Sequence, residues 1–199
     1  MKQILFILLT VLQVNSIAQS DTTRYNFDHI IMTVAGDLNK DNLPDKVIVI
    51  QDTLSETAPY QVQIFFKEKS GSYELVTASS RIIEPQYPEG RGGYISGNGF
   101  RDVTIRNGIL SINFQLLRGH FEHKFRFRNG SFELIGFSMV NANGIGEMTT
   151  TDFNLSTGIR TEKTERSDNG KVISNTRKKI WIRPLPKLQD LVPMENEFY

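Results

Sequence analysis

Val103-Thr104-Ile105-Arg106-Asn107-Gly108-Ile109-Leu110-Ser111-Ile112-Asn113-Phe114 reads as two strands and the turn between them. Apolar residues alternate on both sides of the Asn-Gly pair, the period of a strand with one buried face. Asn and Gly tolerate the positive φ that a type I′ hairpin demands. The pattern recurs. Phe125-Arg126-Phe127 leads through Asn129-Gly130 to Phe132-Glu133-Leu134, and residues 161–166 lead through Asn169-Gly170 to Val172 and beyond. A further hairpin is expected at Ser70-Gly71, and residues 30–35 and 46–51 read as two more strands. After the first 18 residues no stretch sustains a helical period. The expectation is an all-β protein of antiparallel meanders, packed as a sandwich or an open barrel in one compact domain. Phe114, Phe121, Phe125, Phe127, Phe132 and Phe137 alternate along these strands and read as core.

One short motif repeats. Gly71-Ser72-Tyr73-Glu74-Leu75-Val76 recurs as Gly130-Ser131-Phe132-Glu133-Leu134-Ile135, each time after an aromatic strand. Either two aromatic hairpins resemble each other or a unit has been duplicated. A duplicated unit would be a four-stranded meander like one propeller blade. Two or three such units cannot close a propeller, so the sheets must pack on each other or associate with copies of the chain.

The first 18 residues read as a secretory signal. Lys2 supplies the positive start, residues 4–14 an apolar core, and Ser16-Ile17-Ala18 the small residues of a cleavage site after Ala18. That core is too short for a bilayer span of about 20 residues. The expected organisation is a signal at 1–18, a β domain at 19–182 and an extended, proline-containing tail at 183–199. The chain is thereby expected to be exported, to the periplasm or beyond. It has no cysteine, which excludes a lipoprotein anchor, disulfides and thiolate chemistry. A formal charge of +1 gives no basic excess for nucleic acid.

The most specific chemistry lies in Gly36-Asp37-Leu38-Asn39-Lys40-Asp41-Asn42-Leu43-Pro44-Asp45. Asp37, Asn39, Asp41 and Asp45 take loop positions 1, 3, 5 and 9. Calcium takes hard oxygen ligands, which a tight loop offers at this spacing, with the Leu43 carbonyl joining them. Asn42 stands where such loops usually carry Gly, and Asn tolerates the left-handed conformation next best. The alternative is a metal-free turn held by Asx hydrogen bonds. With Lys46-Val47-Ile48-Val49, the stretch resembles the Asp-x-Asn-x-Asp-Gly-x-x-Asp loop of FG-GAP/VCBS repeats over about residues 30–76. The resemblance implies a blade-like β unit with structural Ca2+ held by Asp37, Asn39, Asp41, Leu43 and Asp45. The wider chain resembles a group of secreted proteins of Bacteroidetes-type bacteria, through this loop, Phe125-Arg126-Phe127-Arg128, Phe132-Glu133-Leu134-Ile135-Gly136, Asp152-Phe153-Asn154-Leu155-Ser156-Thr157-Gly158 and Pro184-Leu185-Pro186-Lys187-Leu188. That resemblance implies a location and a fold and no activity.

Residues 84–101 are rich in proline and glycine and read as a long irregular loop, with Tyr87, Arg91 and Tyr94 as candidate binding residues. Glu84, Glu89 and Asp102 nearby are the candidate carboxylates for a hydrolase or lyase acting on polysaccharide. His120 and His123, three apart on a strand, point to opposite faces and do not suit one zinc ion. Nucleophile elbows, phosphate loops and His-Glu-x-x-His are missing. Trp181 reads either as core or as a carbohydrate-stacking surface. The function expected is that of an exported, non-enzymatic, calcium-stabilised protein of binding or structural role. Its partner would be a protein or a glycan, self-association is a third possibility, and no membrane span is expected.

Overall fold

A computed structural model describes residues 25–93 and 99–194. Eleven strands form two antiparallel sheets. The smaller is the meander β1 (His29–Gly36), β2 (Asp45–Gln51), β3 (Tyr60–Lys67) and β4 (Tyr73–Ser79). The larger holds, in order, β5 (Gly99–Arg106), β6 (Ile109–Leu116), β7 (Gly119–Arg128), β8 (Ser131–Ala142), β9 (Glu147–Asn154), β10 (Ile159–Arg166) and β11 (Val172–Lys179). Every pairing joins strands consecutive in sequence. The signal expected at 1–18 lies outside the described residues.

The hairpins follow from turn chemistry. Asn107 and Gly108 have φ of 53° and 74°, and Asn129 and Gly130 have 50° and 75°, the double left-handed step of a type I′ turn. The third Asn-Gly differs. Only Gly170 is left-handed, at 68°, in a five-residue connection where Asn169 Oδ1 accepts from the Lys171 N–H at 2.9 Å. The expected turn at Ser70-Gly71 closes with Glu68 N–H on the Ser72 carbonyl at 2.8 Å.

The sheets pack face to face as a sandwich. Val47, Val49, Val62 and Ile64 of the small sheet share one buried cluster with Val103, Leu110, Ile112, Phe125 and Leu134 of the large one. The aromatic strand before the first copy of the short motif meets the hairpin of the second copy across this core. Phe66 of β3 stands edge-on to Phe127 of β7 at 4.8 Å and lies 6.2 Å from Phe132 of β8. The first copy belongs to a four-stranded meander, as a blade-like unit requires. The second is embedded in the seven-stranded sheet.

One row shows how the cover ends. Val103, Ile112, His123, Phe137 and Phe153 stand opposite one another across β5 to β9 and are all buried. The same row continues to Arg160 and Lys178. Thus β10 and β11 extend beyond the small sheet. Every residue of β11 is exposed.

Other edges are closed. β1 lies against β5, where Val103 N–H meets Met32 Sδ at 3.3 Å. A Cβ on Gly36 would sit 2.6 Å from Ile105 Cγ2, so only glycine fits there. A short 3-10 helix, Leu188–Asp190, packs on β4 and β8. Leu188 and Leu191 are buried in the common core, and Leu134 N–H donates to the Pro186 carbonyl at 2.8 Å.

Candidate functional site

The loop from Asp37 to Asp45 is folded by its own side chains. Asp37 Oδ1 accepts from the Lys40 and Asp41 N–H groups at 2.6 and 3.2 Å, and its Oδ2 from Asn42 N–H at 3.0 Å. Asn39 Oδ1 accepts from Asp41 N–H at 3.0 Å. Asp41 Oδ1 accepts from Leu43 N–H at 2.7 Å, and Asp41 Oδ2 from the Asn39 amide at 3.0 Å. Lys40 and Asn42 take the left-handed conformation, with φ of 69° and 67°. Asn42 thus does what glycine does at this place.

Asp45 has a different environment. Its carboxylate is wholly buried. Oδ2 accepts from Leu38 and Asn39 N–H at 2.7 and 3.4 Å, and Oδ1 from Lys67 N–H at 3.1 Å. It ties the start of the loop to the end of β3, while Leu38 anchors the loop in the core. Among the described residues no three acidic or imidazole groups converge as a metal cluster. The donor set is nonetheless the kind calcium takes. Asp37, Asn39 and Asp41 present hard oxygens, each with lone pairs beyond those taken by N–H groups. The loop also touches the second sheet. A Cβ on Gly108 would lie 3.4 Å from Lys40 Cε and 3.7 Å from the Asp37 carbonyl. A cleft of about 460 Å³ between them is lined by Asp37, Lys40, Asn42, Ile105 and Asn107.

The proline- and glycine-rich segment is where the chain crosses from one sheet to the other. Ile82 and Ile83 are buried. Tyr87 and Arg91 are brought together, the guanidinium 5.4 Å from the ring centre. Arg91 donates to the carbonyls of Thr53 and Ser55, and Tyr87 N–H to that of Thr57 at 3.0 Å. The pair therefore clasps the 52–59 loop. Beneath it, burial pushes the Asp52 carboxyl up. The N–H groups of Asn26, Leu54 and Ser55, aided by Arg91, outweigh that and hold it below the usual carboxylate value. Tyr94 lies outside the described residues.

Asp102 sits on the outer face of β5, taking Asn113 Nδ2 at 2.6 Å and Arg101 Nε at 2.9 Å. Glu122 shares that row and pairs with Lys124 at 3.0 Å. His120 is exposed and His123 buried, on opposite faces of β7. Four phenylalanine rings lie with centres 5.3 to 6.2 Å from the His123 ring. Burial pushes its imidazole down to about 3.

Trp181 is 58% exposed, which removes the core reading. Lys179 Nζ and Arg183 Cζ lie 4.9 and 5.0 Å from its ring centre. Its exposure follows from β11 being an uncovered edge, a fact that no local sequence signal carries. No protein-family model, curated protein or solved structure matches the chain.

Proposed function

We propose that the chain is an exported, non-enzymatic β-sandwich whose two sheets are pinned by calcium at the Asp37–Asp45 loop and which serves as a binding or scaffold protein. One observation carries the reading. The oxygens of Asp37, Asn39 and Asp41 are gathered by five backbone N–H bonds within one tight loop. Carboxylates gathered in one tight loop repel each other unless hydrogen bonds or positive charge compensate. Calcium supplies that charge, with the Leu43 carbonyl and Asp45 completing the set that the FG-GAP/VCBS resemblance implies. The loop rests on the β5–β6 turn, so an ion there stiffens the join between sheets.

Thermal unfolding with calcium and with chelator tests this. Calcium at a hundred times its dissociation constant adds about 2.7 kcal/mol, a rise of several degrees that Asp41→Ala abolishes. No rise at millimolar calcium returns the loop to a metal-free Asx turn.

A further inference from the structure

We propose that the outer face of the seven-stranded sheet binds a carboxylate-bearing polysaccharide, along the row from Lys124 to Lys179, with Trp181 as the stacking platform. The inference rests on the binding reading above and names its ligand class.

The row is set by strand register. Lys124 on β7 stands opposite Gly136 on β8, Gly136 opposite Asn154 on β9, Asn154 opposite Ile159 on β10, and Ile159 opposite Lys179 on β11. Four strand spacings of about 4.8 Å make a track of about 19 Å, with Lys124, which pairs with Glu122 at 3.0 Å, at one end and Lys179 at the other. At Gly136, one strand in from Lys124, the Lys124 stem lies over the backbone, its Cβ 3.4 Å and its Cδ 3.5 Å from where a side chain would start, and Asn154 stands midway. A groove of about 360 Å³ there is lined by Lys124, Arg126, Asn154, Ser156 and Asp152. Amide, hydroxyl and carboxylate groups of this kind suit sugar hydroxyls.

The far end is preorganised. Trp181 rests on Gly158, where a Cβ would lie 3.4 Å from the indole and 2.7 Å from the Ile180 carbonyl. Arg183 is held by the carbonyls of Leu155, Ser156 and Ile182 at 3.1, 2.9 and 2.6 Å. Ser156 belongs to both the groove and this anchor, so the two parts are continuous. An exposed indole offers an apolar face with a polar rim, matching the C–H face of a sugar ring. Lys179 and Arg183 beside it supply the charge complement for a ring carboxylate.

Charge favours an acidic polymer over a neutral one. Among the described residues Arg126 and Lys179 form no ion pair, although Glu133 stands opposite Arg126 in the register. Asp152 is the one acidic residue lining the groove.

Trp181 is the sole tryptophan, so its emission reports directly on the site. The intact protein is titrated with oligogalacturonate, with neutral dextran oligosaccharide and with polyglutamate, at low ionic strength. A saturable emission shift with the uronate alone is expected. By calorimetry, Lys179→Glu, Arg126→Glu and Trp181→Ala should each weaken uronate binding about tenfold or more, equivalent to about 1.4 kcal/mol. Each position is exposed, and a melting curve verifies that each variant folds. Absence of a uronate shift overturns the proposal. So does an equal shift with polyglutamate together with unchanged uronate binding by Trp181→Ala, which would mark a charged surface only. A calcium-dependent melting rise that persists while uronate fails to bind sinks this inference and leaves the calcium-pinned scaffold standing.

Discussion

The two halves of the large sheet obey one strand geometry and have opposite fates. Along a single cross-strand row, Val103, Ile112, His123, Phe137 and Phe153 are sealed, while Arg160 and Lys178 of the same row meet solvent. β5 to β9 carry the buried rings and aliphatics because four strands lie over the sheet. β10 and β11 carry charge on that same face because nothing does. What a strand buries is decided by what covers it, and the sequence adapts position by position.

Replacing core groups gives the largest contrast. Phe125→Ala should cost about 3–5 kcal/mol in chemical denaturation, the usual penalty for emptying a buried ring site. Ile173→Ala on β11 should stay within about 0.5 kcal/mol. Equal costs would mean that β11 is covered in solution, by a second copy or by another partner.

Acid is next. His123 is buried neutral with its imidazole lowered to about 3, whereas the unfolded chain takes up a proton near the ordinary value of about 6.5. Its contribution is full above that value. As pH falls from about 6.5 towards about 3, protonation favours the unfolded chain, and stability drops by about 1.4 kcal/mol per pH unit. His123→Leu should flatten the profile across that window. An unchanged slope would remove His123 as the cause.

A smaller effect is expected at the loop. Asp45→Asn keeps the shape and weakens the bonds that close Leu38, Asn39 and Lys67. A cost of about 1–3 kcal/mol follows for an impaired buried acceptor, read as a lower midpoint even in chelator. The smallest effect is kinetic. The free-edge amides of β11 should exchange with deuterium far faster than those of β7, and equal protection would dissolve the contrast between the two halves.

The hairpins were legible because they are local. Asn107-Gly108 and Asn129-Gly130 specify their turns with two residues, and alternation in β6 to β8 marks one buried face. β9 was not legible. Thr149, Thr150 and Thr151 are polar and β-branched at once, so the pattern hides that Thr151 is buried while its neighbours are not. The division into two sheets was hidden as well. It falls between β4 and β5, where Ile82 and Ile83 enter the core just before the proline- and glycine-rich segment that reads as a surface loop. At the candidate site the spacing of Asp37, Asn39 and Asp41 was readable, because Asx turns are contacts over two to five residues. The burial of Asp45 against Lys67 depends on the pairing of β2 with β3 and has no local trace. Trp181 was ambiguous for the same reason.

Leu188 and Leu191 are sealed in the core, and the Pro186 carbonyl takes the Leu134 N–H. Each sheet is a meander of sequential neighbours, so its hairpins close over short loops. Closing the sandwich needs residues 186–191, which follow every strand in sequence. The two sheets therefore stay half-dressed until that late turn docks, and a contact of long sequence reach, not a hairpin, locks the core.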